Sequence, residues 1–179
     1  MTRFNECALS SVTFTRGKFR RARLDTVWLD NLRTVGSDLA ETTWLDTECR
    51  ASLLAGTQLH GSQLRRTVFH HCKFDSVNLR AAQLRDVTFA DCLLRDVDFA
   101  GATLTGVTFP GTTLDRVDFT KATLARVDLR EATALGITSG VEALNGDPLK
   151  LMRLLGITAK TAMRYGSAAC PERTAKLPM

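Results

Sequence analysis

A large apolar residue returns at every fifth position of this sequence. The series runs from Phe4 to Ala134, which gives 27 positions without an insertion. Of these, 24 are Leu, Phe or Trp, and the exceptions are Thr34, Cys49 and Ala134. A strand repeats every second residue and a helix every 3.6, so a period of five fits neither pattern. A period this regular indicates an internal repeat.

A second position in each unit is restricted to small side chains. Two residues before the centre, 26 of the 27 units have a small or β-branched residue. The exception is Leu32, and the centre of its unit is the small Thr34, so the two sizes are exchanged. Core volume is conserved by such an exchange. The pattern therefore predicts two inward positions in each unit of five.

A unit with two inward positions can form one side of a square coil. Four units make a coil of twenty residues, and coils stacked about 4.8 Å apart can exchange backbone hydrogen bonds as parallel strands do. Each coil then buries its apolar residues against its neighbours. Residues twenty apart should stack in columns, and the columns fill the interior. Three such columns are Phe69, Phe89 and Phe109; Phe99 and Phe119; and Leu64, Leu84, Leu104 and Leu124.

The repeated unit also resembles a known family. Units such as FAGAT, LTGVT and LREAT, or AGATL and REATA in the usual frame, are similar to the A(D/N)LXX pattern of pentapeptide repeat proteins. The resemblance covers Thr2 to about Gly136. It implies an all-β solenoid, a right-handed quadrilateral β-helix of nearly seven coils. The Asp or Asn of the pattern is present just before the centre at five positions: Asp38, Asn78, Asp98, Asp118 and Asp128.

The period stops near Gly136, and the remaining sequence favours short helices. We expect a β-helix over residues 1–139, a helical cap or dimerisation segment over 140–166 and a disordered tail over 167–179. Asp147 and Pro148 are typical of a helix start, and Gly166 would end a second short helix. One arc of the first helix is apolar. Its members are Leu151, Met152, Leu154 and Leu155. This arc either covers the last coil or forms a homodimer, as in the quinolone-resistance members of the family.

Composition and cysteine usage limit the class of protein. The chain has 179 residues, of which 44% are hydrophobic and 24% charged, as is typical of a globular domain. The N-terminus has no apolar signal segment, and no run is long enough to span a membrane. Five cysteines without a CxxC pair favour reduced thiols. We therefore expect a cytoplasmic bacterial protein with no membrane contact.

Charged residues fall into columns and two groups. Signs alternate at twenty-residue spacing, for example Asp46, Arg66 and Asp86, which favours ion pairs between coils. A basic group marks the first coil, with only Glu6 to offset it through Leu24. It consists of Arg3, Arg16, Lys18, Arg20, Arg21 and Arg23. A candidate acidic binding face marks the later coils. It consists of Asp86, Asp91, Asp96, Asp98, Asp115, Asp118, Asp128 and Glu131.

No catalytic, metal or cofactor site is predicted. His60, His70, His71 and Cys72 are close in sequence, but the register separates His60 from the others and leaves no third ligand in reach. Cys72 and Cys92 are inward and stack one coil apart, as core residues. A filled solenoid offers flat sides in place of a cleft. The sequence therefore favours a non-enzymatic protein.

Three possible functions remain. The first is a protein-binding rod, and the family resemblance implies DNA gyrase or topoisomerase IV as its partner, bound in place of DNA with protection against an antibiotic. The family's gyrase-binding members are strongly acidic, whereas residues 2–139 carry 18 basic and 16 acidic side chains. The second is binding of an acidic partner or a nucleic acid by the basic first coil. A scaffold with another protein partner is the third possibility.

Overall fold

The backbone winds into coils in which each residue lies beside the residue twenty positions later. The computed structural model describes residues 2–140. Parallel pairing joins Leu64 to Leu84, Leu84 to Leu104 and Leu104 to Leu124. The coil of twenty residues and the stacked columns predicted from the period are confirmed. Residues 2–140 form a parallel β-solenoid of about seven turns.

The strands are short and form two parallel sheets. The first sheet has the order β1, β3, β5, β8, β10, β12 and β14, with β6 between β3 and β8; the second has the order β15, β13, β11, β9, β7, β4 and β2. The strand bounds are β1 Arg3–Ser10, β2 Thr13–Thr15, β3 Arg23–Asp30, β4 Arg33–Val35, β5 Thr43–Leu45, β6 Glu48–Arg50, β7 Leu53–Ala55, β8 Gln63–His70, β9 Lys73–Asp75, β10 Gln83–Ala90, β11 Leu93–Arg95, β12 Thr103–Thr105, β13 Thr113–Asp118, β14 Thr123–Ala125 and β15 Ala134–Ser139.

Each coil has four sides, numbered one to four in chain order, and each side is identified by its central residue in the first coil. Side one begins with Phe4, side two with Leu9, side three with Phe14 and side four with Phe19. The first sheet covers sides one and two, and the second sheet covers side three. Single bridges such as that between Asp98 and Asp118 join the coils on side four. A residue's number therefore determines the side on which it is displayed.

Phenylalanine and leucine side chains fill the interior. On side two, the rings of Phe69, Phe89 and Phe109 stack with centroids 5.1 and 5.2 Å apart and planes 9° and 7° from parallel. Phe99 and Phe119 stack in the same way on side four, 5.2 Å apart. All five rings are fully buried. The repeat of the backbone thus imposes the aromatic stacking, because identical side chains return one coil apart.

The corners use a backbone conformation that most residues avoid. Every corner residue from Glu6 to Arg126 has a positive φ, between 46° and 67°. Most of these residues are not glycine, and the left-handed conformation costs each of them about 1 kcal/mol. The hydrogen bonds between coils on both sides of each corner offset this cost. Short polar residues at the corners reduce it further, because Asn and Asp tolerate the left-handed region.

The register fails in the last unit. Leu114 pairs with Leu135, 21 positions away, and the ladder between β13 and β15 is irregular. Ala134, the predicted centre, is exposed, whereas Ile137 is partly buried against the core. The prediction of 27 units in one register is therefore wrong at its end, because one extra residue enters before β15. Glu131, at the next corner, lacks the positive φ of the corners before it.

The predicted C-terminal elements lie outside the described residues. These are the helical segment within 140–166, apart from Gly140 itself, and the tail over 167–179. The arc of Leu151, Met152, Leu154 and Leu155 belongs to that part of the chain, so its role as a cap or a dimer contact stays a prediction.

Candidate interaction surfaces

The Asp or Asn before the centre of a unit has a backbone role. In each of the five cases its side-chain oxygen accepts a hydrogen bond from the N–H two residues later, over 2.7 to 3.1 Å. This bond satisfies a donor next to the corner, as in an Asx turn. The five residues are Asp38, Asn78, Asp98, Asp118 and Asp128. Charge is not needed for this bond, since Asn78 makes it as well.

Ion pairs join successive coils where the alternating signs predict them. Arg66 Nε lies 2.6 Å from Asp46, and Arg116 Nε lies 2.7 Å from Asp96, each one coil away. Hydrogen bonds from these arginines lower the pKa of both carboxyls. The groups are exposed, so each pair stabilises the fold only modestly. Their main effect is to remove repulsion between neighbouring charged rows.

The eight carboxylates of the candidate acidic face are spread around the coil. Asp86 lies between sides one and two, Asp91 and Glu131 between sides two and three, Asp96 between sides three and four, Asp98 and Asp118 on side four, Asp115 on side three and Asp128 on side two. The prediction of one face is wrong, because the chain turns to a new side every five residues. Five of the eight also lie within 4.0 Å of an arginine: Asp86, Asp96, Asp98, Asp115 and Asp128.

Asp98 and Asp118 are the two candidates that the fold brings together. They are bridged neighbours on side four, one coil apart. Arg80 donates a hydrogen bond of 2.9 Å to Asp98. Asp118 has no ion pair within residues 2–140, and it accepts hydrogen bonds from the N–H and hydroxyl of Thr120. Side four therefore displays a short acidic row towards the C-terminal end.

The basic first coil is partly neutralised by the second coil. Both Arg20 and Arg21 pair with Glu41, the latter over 2.7 Å, and these bonds lower the pKa of the Glu41 carboxyl. Arg23 lies 3.8 Å from Asp25. Glu6 is the only carboxylate through Leu24, but carboxylates later in the chain, above all Glu41 of the second coil, also offset this group. Within the described part of the chain, three members of the group have no ion pair: Arg3, Arg16 and Lys18.

Three inward cysteines form a contiguous row of thiols. The Cys72 thiol lies 3.9 Å from that of Cys49 and donates to the Cys49 carbonyl oxygen. Cys92 stacks one coil further on, and all three residues are buried. The neighbouring Cys72 thiol and burial raise the pKa of Cys49. Within residues 2–140, no three His, Cys, Asp or Glu side chains are placed to hold a metal ion.

Sequence reasoning missed an exposed tryptophan. Trp28 occupies the outward position before the centre Leu29 on side two, and 54% of it is exposed. The period itself carried the signal, because this position points away from the core in every unit. Beside the indole ring lies a surface groove between sides one and two.

Across residues 2–140, the fold contains no helix long and apolar enough to cross a membrane. Cytoplasmic location stays a prediction.

Comparison with known proteins agrees with the repeat. The profile of the pentapeptide repeat region matches residues 62–138. No curated protein matches the chain. Among solved structures, the pentapeptide repeat protein Rfr23 from the cyanobacterium Cyanothece 51142 is similar, with a TM-score of 0.60 and 19% identity over 63% of this chain and 91% of Rfr23.

Two further solved structures are similar at lower scores. HetL, a pentapeptide repeat protein involved in heterocyst differentiation regulation from Nostoc sp. strain PCC 7120, has a TM-score of 0.38 and 16% identity over 80% of this chain and 89% of HetL. QnrB1, a plasmid-mediated fluoroquinolone resistance protein, has a TM-score of 0.38 and 14% identity over 88% of this chain and 98% of QnrB1. The period of five, the coil of twenty residues and the match of residues 62–138 lead to one conclusion: this part of the chain is similar to the pentapeptide repeat region.

Proposed function

We propose that this chain is a pentapeptide repeat protein and acts as a non-catalytic rod that binds another protein. The observation that carries the proposal is the filled interior, in which columns of large residues, mostly Phe and Leu, form the buried core. The small inward residues of most units are buried with them, and the outward side chains are displayed on a flat side or a corner. Seven coils at about 4.8 Å give a rod on the order of 30 Å long. One side of such a rod is of the size that a protein interface requires, about 800 Å² per partner.

We further propose DNA gyrase or topoisomerase IV as the partner to test first. The family resemblance suggests it, and the acidic row of Asp98 and Asp118 on side four supports it. A surface that binds DNA is basic, so it attracts carboxylates in place of phosphates. The contact should then run along the C-terminal half of the rod. A dimer formed by the segment 140–166 would place two such rows near its centre.

A supercoiling assay with purified gyrase, with and without a quinolone, tests this partner. The wild-type protein should inhibit supercoiling or protect it from the drug. The double variant Asp98→Asn, Asp118→Asn should be roughly tenfold less potent, because it loses two charges that face a basic surface. Asn still accepts the hydrogen bond of the Asx turn, as Asn78 shows, so the fold should be unchanged.

The matched control changes two charges elsewhere. The double variant Arg20→Gln, Arg21→Gln alters the first coil and should leave the effect on supercoiling intact. No effect of the wild-type protein on either enzyme at micromolar concentration would refute the topoisomerase proposal. The wider proposal of a protein-binding rod would then require another partner.

A specific observation favours a second function, namely binding of an acidic partner or a nucleic acid. Arg3, Arg16 and Lys18 lie at the N-terminal end, and within the described residues no carboxylate neutralises them. Binding to duplex DNA that falls steeply with salt and is lost in an Arg16→Gln, Lys18→Gln variant would support this function. The same variant should not change inhibition of gyrase if the first proposal is correct.

A further inference from the structure

Trp28 displays its indole ring on the surface, outside the core. More than half of it is exposed, whereas the second tryptophan, Trp44, is 1% exposed and donates its indole N–H to Thr42 inside the core. The residues that flank Trp28 on side two, one coil before and after, are Ala8 and Glu48. Exposed tryptophan is common at the centre of protein interfaces, because its large apolar surface gains most from being covered.

The groove beside Trp28 has an apolar floor and an acidic rim. It has a volume of about 430 Å³ and crosses the first three coils at the corner between sides one and two. Trp28, Ala8 and Val27 supply apolar surface. The carboxylates that line it are Glu6, Asp46 and Glu48, and no lysine or arginine is among its lining residues.

One arginine of the chain already uses this combination of ring and carboxylate. The guanidinium carbon of Arg50 lies 6.0 Å from the centroid of the Trp28 ring, while its Nε donates a hydrogen bond of 2.7 Å to Glu48. A cation at this distance is attracted by the ring face, and the carboxylate orients the guanidinium. The remaining part of the indole borders the groove, where Glu6 has no ion pair among the described residues.

We propose that this groove binds an arginine or lysine side chain from a basic segment of a protein partner. The stem of the side chain would lie against Trp28 and Ala8, and its charged head would reach Glu6, since Arg66 already binds both carboxylate oxygens of Asp46. Nucleic acid does not fit, because its phosphates would meet three carboxylates. The inference rests on the proposed function as a protein-binding rod and identifies one contact of that partner.

The two tryptophans make the test direct. Replacing the buried Trp44 by Phe leaves Trp28 as the only indole in the chain, so tryptophan emission reports on the groove alone. The probe is an acetylated hexa-arginine peptide in low salt, and a hexa-glutamate peptide is the control. We expect saturable quenching and a blue shift of Trp28 emission with hexa-arginine and no change with hexa-glutamate.

Variants separate recognition by the groove from general attraction between charges. The change Glu6→Gln with Glu48→Gln should weaken hexa-arginine binding at least tenfold. The matched control, Asp75→Asn with Asp91→Asn, removes the same charge from side three and its corner with side two and should leave the affinity within a factor of two. The variant Arg50→Gln frees Glu48 and one face of the indole ring, so it should bind the peptide several times more tightly.

Three outcomes would overturn the inference. An unresponsive Trp28 would show that the groove does not hold a cation, and equal losses in the two double variants would show unspecific attraction. In the absence of peptide, Trp28 emission could shift to the blue as the protein concentration rises. Together with a doubled mass in light scattering, that result would show that a second copy of the chain occupies the groove. The peptide-binding test does not measure gyrase inhibition, so the groove inference can fail while the proposed function holds.

Discussion

The replacement Phe89→Ala tests whether the stacked aromatic column stabilises the rod. Phe89 is fully buried between two parallel rings, with Phe69 at 5.1 Å and Phe109 at 5.2 Å. Phe74 meets it edge-on from side three, with centroids 5.5 Å apart and planes at 75°. The change therefore removes a ring that contacts Phe69 and Phe74 of the preceding coil and Phe109 of the following coil.

The expected loss can be worked out from these contacts. Truncation of a buried Phe to Ala costs about 3–5 kcal/mol, including the cavity that remains. Aromatic pairs add roughly 0.5–1.5 kcal/mol each beyond the buried area. The cavity cannot collapse easily, because hydrogen bonds between the coils fix the spacing of Phe69 and Phe109. We therefore expect a loss near the upper limit, about 4–5 kcal/mol in the free energy of unfolding.

Phe14→Ala is the matched control. Phe14 lies in the first described coil, is only partly buried and meets Phe19 at 4.7 Å, and within residues 2–140 it has a neighbouring coil on one side alone. Its truncation should cost about half as much or less, because a solenoid is stabilised mainly by contacts between adjacent coils. Urea unfolding followed by far-UV circular dichroism measures both losses. Equal losses for the two variants, or a loss below about 1 kcal/mol for Phe89→Ala, would refute the reasoning.

Two further predictions concern acid stability and self-association. Hydrogen bonds from arginines lower the pKa of Asp46, Asp96 and Asp128. The folded chain thus binds fewer protons than the unfolded chain, so this stabilisation is complete above about pH 4 and is lost as the pH falls through the lowered values. The urea concentration at the unfolding midpoint should therefore decrease once the pH is below that value. The decrease should be smaller in an Arg66→Gln, Arg116→Gln variant, and an identical pH profile for that variant would show that these arginine–aspartate pairs do not cause it. Separately, Leu151→Glu with Leu155→Glu should yield a monomer in light scattering with unchanged β-type circular dichroism, and a wild-type chain that is monomeric at high concentration would exclude the dimer.

Most of the fold could be predicted from the sequence because one rule operates throughout. A period of five with two inward positions determines the side, the column and the neighbours of every residue. The aromatic column around Phe89 and the pair of Asp46 with Arg66 both follow from adding twenty to a residue number. The exchange of sizes at Leu32 and Thr34 is borne out as well, since both side chains are buried.

The wrong predictions concern residues for which the period of five was not used to assign a side, or for which the period no longer holds. The acidic residues were grouped by their place along the chain, although successive units face different sides. The same omission hid the pairing of Arg21 with Glu41, which are twenty residues apart. The shift before Leu135 could not be predicted, because no apolar pattern marks the extra residue. The Trp28 groove depends on the shapes of side chains in three coils, and a periodic pattern does not describe these shapes.

The use of the same five-residue unit on all four sides has a consequence for how such a chain can change in length during evolution. An insertion of one residue would break the hydrogen-bond ladder, as the irregular pairing of β13 with β15 illustrates. An insertion of five residues would preserve the inward pattern and the core, but it would rotate all later coils by a quarter turn. Asp98 and Asp118 would then move together from side four to side one. A duplication of one unit could therefore redirect an entire binding surface in a single genetic step while leaving the stability of the rod nearly unchanged.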